Sequence, residues 1–80
     1  MPTVLRISGY RFFFYSGEGS EEAHIHVEHG DGVAKIWLDP VRVAESHGFR
    51  THQLNQVRLL VIAHRMTFLE AWNDHFHRQT

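Results

Sequence analysis

Gly30-Asp31-Gly32 separates two runs of strand-forming residues, Ala23 to His29 and Val33 to Leu38, and this arrangement points to a β-hairpin. An Asp-Gly pair tolerates the positive φ angles that a two-residue turn demands. With Asp31-Gly32 as the turn, the register sets Glu28 opposite Lys35, Val27 opposite Ile36, His26 opposite Trp37 and Ile25 opposite Leu38. Ile25, Val27, Ala34, Ile36 and Leu38 then make one apolar face, and His24, His26, Glu28, Lys35 and Trp37 share the other. The opposed charges of Glu28 and Lys35 favour the same register.

A second hairpin precedes this one. Thr3 to Ile7 and Tyr10 to Tyr15 flank Ser8-Gly9, which suits a two-residue turn. Ile7 then faces Tyr10, Arg6 faces Arg11, Leu5 faces Phe12, Val4 faces Phe13 and Thr3 faces Phe14. Leu5, Ile7, Tyr10, Phe12 and Phe14 form the core-facing side, with Val4, Arg6, Arg11, Phe13 and Tyr15 opposite. The polar stretch from Gly17 to Glu22 reads as a mobile connection.

Beyond Leu38 the pattern turns helical. Asp39 suits an N-cap, Pro40 the first helical position and Gly48 a stop, giving a short helix. Thr51 caps a longer one reaching about Phe76, in which Leu54, Val57, Val61, Phe68 and Trp72 recur at steps of three and four. His64 and Arg65 interrupt that stripe, which implies contact with buried backbone or a partner chain unless the arginine snorkels outward. The expected fold class is α+β: two β-hairpins in a four-stranded, largely antiparallel sheet packed by one short and one long C-terminal helix, in a single domain over residues 1–80.

Composition narrows function mainly by exclusion. Eighty residues with eight basic and nine acidic side chains carry no global basic footprint for nucleic acid, so such binding needs a local patch. No cysteine is present, which removes disulfides, thiolate metal sites and cysteine nucleophiles. The N-terminus lacks a signal-peptide pattern and the longest aliphatic run is Leu59 to Ala63, so a cytoplasmic protein outside the membrane is expected. No P-loop, dinucleotide glycine fingerprint, nucleophile elbow or H-E-x-x-H pattern occurs, and no cofactor is expected.

The polar strand faces hold the candidates for chemistry. Opposed Arg6 and Arg11 repel unless an anion or acid intervenes, so they can hold a phosphate together with Lys35; equally, one can bend toward Glu18 or Glu28. Tyr15 and Trp37 can stack a base or simply pack. His24 and His26 alternate along one strand and project the same way, which suits general acid–base catalysis, or a metal site with Glu28 or His29 as third ligand, or a plain polar face. Whether the chain is an enzyme stays open at this level.

Several segments together resemble a family of short bacterial proteins catalogued as a domain of unknown function, number 4160. They are Met1 to Arg6, Gly9 to Ser16, His24-Ile25-His26-Val27, Ala34 to Leu38 and Glu70-Ala71-Trp72-Asn73. Family members usually carry Pro where this chain has Ala23. The resemblance implies a toxin–antitoxin-like component that binds a cognate small protein or a second copy of itself, with RNA as a further candidate partner. Its catalytic version is a metal-independent endoribonuclease with His24 or His26 as acid or base. The alternatives are a non-catalytic protein-binding module and a divalent-metal protein that uses His24, His26 and Glu28.

Overall fold

Five strands, not four, form one antiparallel sheet in the computed structural model, which describes residues 3–77; Met1 and Pro2, part of the resemblance, lie outside the described residues. In chain order they are β1 (Thr3–Ile7), β2 (Tyr10–Phe13), β3 (His24–His29), β4 (Gly32–Leu38) and β5 (Val41–His47), each paired with its neighbours in sequence. Two helices follow, α1 (Thr51–Ala63) and α2 (Arg65–His77). Most side chains expected on the apolar sheet face are buried: Tyr10, Phe12, Phe14, Ile25, Val27, Ala34, Ile36 and Leu38 meet Val57, Val61, Phe68 and Trp72 of the helices, while Leu5 and Ile7 of the edge strand are only half-buried against this core. Leu54 is half-buried at the margin of this core. The Phe12 and Phe68 rings pack against each other at a tilt, with centroids 5.0 Å apart, across the two layers. An antiparallel sheet packed in this way leaves its second face available to water.

The first turn matches the sequence pattern. Ser8 and Gly9 both adopt positive φ, and Ile7, Arg6 and Leu5 pair with Tyr10, Arg11 and Phe12. Beyond Leu5 the register shifts, so Thr3 lies opposite Phe13 and not Phe14, with Val4 as the extra residue of an irregularity between the two pairs.

The second turn sits one residue earlier than expected. His29 pairs with Gly32, which makes Gly30-Asp31 the loop; Gly30 carries the positive φ. This is the pattern of a turn with glycine at its first central position. Every pair in the ladder moves by two: Glu28 faces Val33, His26 faces Lys35 and His24 faces Trp37. An even shift preserves which residues share a face, so the apolar and polar sides survive the change. Gly32 is needed for another reason: a Cβ there would lie 2.7 Å from the Phe49 ring.

The short helix expected between Asp39 and Gly48 is instead β5. Asp39 and Pro40 form the loop of a third hairpin, with Leu38 paired to Val41, Ile36 to Val43 and Val33 to His47. Val41 and Val43 are β-branched, and pairing here satisfies the outer edge of β4, a gain that local capping signals cannot match. The long helix is also divided. Arg50, not Thr51, is the N-cap, and its N–H donates to Gln53 Oε1 at 2.9 Å. His64 adopts φ −111° and breaks the run into α1 and α2, although its N–H still donates to Leu60 O and its carbonyl accepts from the Phe68 N–H. Arg65 explains the polar interruption: its Nε donates to Leu38 O at 2.6 Å and its guanidinium lies 3.0 Å from Asp39 Oδ1.

Candidate functional site

The polar sheet face gathers β2, β3 and β4 side chains under the segment that joins β2 to β3. That segment, expected to be a mobile connection, is tied to the sheet through three of its residues. Glu18 reaches His24 and His26, Glu21 Oε1 lies 2.6 Å from Lys35 Nζ, and the Glu22 carbonyl lies 2.9 Å from His24 Nδ1. A Cβ at Gly19 would meet the Phe76 ring at 2.7 Å, so the strap also approaches the end of α2.

His24 is fully buried, with its ring 4.8 Å from that of Trp72 and 5.6 Å from that of Trp37. The orientation away from Ile25 and Val27 holds, but the expected accessibility of this imidazole does not, because Trp72 and the strap cover it. A backbone carbonyl only accepts, so the contact with Glu22 O places the proton of a neutral His24 on Nδ1 and leaves Nε2 as a lone pair. Nε2 lies 2.9 Å from Glu18 Oε1, off the line of a hydrogen bond, and this buried nitrogen has no hydrogen-bond partner.

His26 is less enclosed. Its Nε2 donates to the same Glu18 oxygen at 2.7 Å, and its ring stacks on Phe13 and meets Tyr15 edge-on at 4.6 Å. Burial pushes the His26 imidazole below its ordinary value, partly opposed by the hydrogen bond and charge of Glu18. For Glu18, burial acts to raise the carboxyl, but its close contacts with His24 and His26, the hydrogen bond from His26 among them, outweigh it and hold the group below the ordinary carboxylate range. One donor atom from each of Glu18, His24 and His26 lies within 4.8 Å of the others.

Glu28 is not the third member of this group. Its Oε1 accepts from Arg11 at 2.8 Å, one strand over, in register with Arg11 on β2. That ion pair is also how the opposed arginines are relieved: Arg11 bends to Glu28 and Thr3 and lies 4.5 Å over the Phe13 ring, while Arg6 is exposed. His29, the other possible ligand, turns to Gly9 O at 2.9 Å. Lys35 lies 4.7 Å over the Trp37 ring. Beside these residues a cleft of ≈ 170 Å³ opens, lined in part by Phe13, Tyr15, His26, Lys35, Glu45 and His47. Glu18, expected only as a partner for an arginine, instead meets the two histidines, and a residue in a connection has no periodicity that would place it there.

Fold and site together define a small α+β protein in which a five-stranded meander carries a histidine–carboxylate cluster between its covering strap and the end of α2. The chain belongs to the family described as Domain of unknown function (DUF4160), whose model matches residues 9–73 and so includes Glu18, His24 and His26. No curated protein and no solved structure matches it. No helix among the described residues is long and apolar enough to cross a membrane.

Proposed function

We propose that the polar sheet face docks single-stranded RNA in a toxin–antitoxin-like component, the cognate small protein supplying the rest of the binding energy. The observation that carries this reading is Tyr15, left 46% exposed at the rim of a cleft whose walls include His26, Lys35 and His47. Exposed aromatics interleaved with cations on an open sheet are what unstacked bases and their phosphates require. Lys35 and Arg11 are held by Glu21 and Glu28, but surface ion pairs are worth little and a phosphate can replace the carboxylate. A net charge of −1 argues for weak, salt-sensitive binding without the partner.

The catalytic version, a metal-independent endoribonuclease, has less support, since His24 is sealed from solvent and His26 is engaged by Glu18. Fluorescence anisotropy with a labelled short RNA at low and moderate salt tests the docking reading. Tyr15→Ala is expected to cost about 1–3 kcal/mol of binding. Lys35→Ala is expected to flatten the salt dependence. RNA affinity unchanged in the double variant would remove this face from consideration and favour a module that binds protein alone.

A further inference from the structure

We infer that Glu18, His24 and His26 form a binding site for one divalent first-row transition-metal ion. The site goes beyond the RNA-docking reading and does not depend on it.

Two features carry the inference independently. The first is the convergence of two imidazole Nε2 atoms and one carboxylate oxygen, with the nitrogens 2.9 and 2.7 Å from Glu18 Oε1. The second is the state of His24. Its Nδ1 is bound to the Glu22 carbonyl, so Nε2 of the neutral ring faces the carboxylate as lone pair against lone pair, in a residue with no solvent exposure. Two acceptors at 2.9 Å repel unless a cation lies between them. The contact is off the hydrogen-bond line, which leaves Nε2 without a partner and disfavours a proton in that role. A metal ion satisfies both atoms, and the Nδ1–H to carbonyl bond is the outer contact that usually orients a metal-bound histidine.

The donor set selects the class of ion. Two imidazoles and a carboxylate suit zinc, manganese, iron, cobalt or nickel, whereas calcium and magnesium prefer oxygen alone. Metal–donor distances of about 2.0–2.2 Å require the donors to stand roughly 3.0–3.4 Å apart, slightly wider than the present contacts. Glu18 belongs to the connecting strap and not to a strand, so it is the ligand that can move outward. Three protein ligands leave at least one coordination position open, as in sites that exchange water or bind a further ligand.

The test uses full-length, tag-free protein stripped of metal. Calorimetric titration with zinc chloride, and in parallel with manganese chloride, is expected to show one equivalent bound for at least one of the two ions. For that ion Glu18→Gln should weaken binding at least about tenfold, while the circular dichroism spectrum of the metal-free variant stays that of the folded wild type and its melting temperature falls only by the modest amount that losing the Glu18 charge entails. Zinc titration followed by ¹⁵N imidazole spectra of wild-type protein adds a readout that needs no variant. The Nε2 resonances of His24 and His26 should move together while His24 Nδ1 keeps its proton. Three results overturn the inference: no binding of either ion, equal affinities for wild type and Glu18→Gln, which would place the ion on other histidines, or a His24 ring protonated on both nitrogens and unmoved by zinc, which would show a proton filling the gap.

Discussion

His24 Nε2 and Glu18 Oε1 face each other at 2.9 Å across the join between a strand and the strap that covers it. Because Nδ1 of the same ring is held by a main-chain carbonyl, the contact fixes both the tautomer and the direction of the imidazole. It also separates the two histidines in role, since one is sealed in packing and the other borders the cleft.

That difference is measurable. His24→Ala should destabilise the protein by about 2–5 kcal/mol, the range for emptying a large buried site. His26→Ala should cost about 1 kcal/mol or less. Urea unfolding of the two variants checks the order, and equal losses would contradict the assigned burial.

Phe68 bridges the layers through its contact with Phe12 and is fully buried. Phe68→Ala is expected to cost about 3–5 kcal/mol, a large share of the stability available to a small domain. A melting temperature equal to wild type would mean that α2 does not pack on the sheet as described.

Gly48 and Gly30 both hold positive φ, yet their surroundings differ. A Cβ on Gly48 would lie 2.9 Å from the Asp31 carbonyl, whereas one on Gly30 meets nothing within 4 Å. Gly48→Ala should therefore cost more than Gly30→Ala, for which only the backbone conformation is penalised, by about 1 kcal/mol. Thermal unfolding of both variants provides the comparison.

Acid should weaken the metal-free protein in two stages. The folded His26 titrates below its ordinary 6.5 because burial disfavours the charged ring, with Glu18 opposing that shift and His24 and Lys35 adding to it. The fold thus favours the neutral ring, and that stability is present above pH 6.5 and declines as the pH falls toward the lowered value. Glu18 is held below its ordinary 4.5, so its contribution is present above that pH and is lost as the pH falls through the depressed folded value. Chemical unfolding in chelator between pH 7.5 and about 3.5 should show stability rising with pH in both windows; removing the first slope by His26→Ala checks the assignment.

The two strand faces were legible from alternation alone, and they survived a misplaced turn because the shift between Glu28–Lys35 and Glu28–Val33 is even. The core stripe of Val57, Val61, Phe68 and Trp72 was likewise readable from helical spacing. Asp39-Pro40 misled because the same residues serve a helix start and a hairpin loop, and only the unpaired edge of β4, a tertiary feature, decides between them. In the site, His24 and His26 were marked by their spacing, but Glu18 was not, since the contact that recruits it depends on how a connection folds back. The burial of His24 depends on Trp72, 48 positions later in the chain, and no local pattern announces it.

The occupant of the space among Glu18, His24 and His26 can be observed directly. Crystals grown with zinc or manganese and measured on either side of the absorption edge would locate the ion by anomalous scattering. The prediction is one peak at about 2.0–2.2 Å from Nε2 of His24, Nε2 of His26 and a Glu18 oxygen. A map with no anomalous peak at that position, and with Glu18 still hydrogen-bonded to His26 as in the metal-free protein, would contradict it.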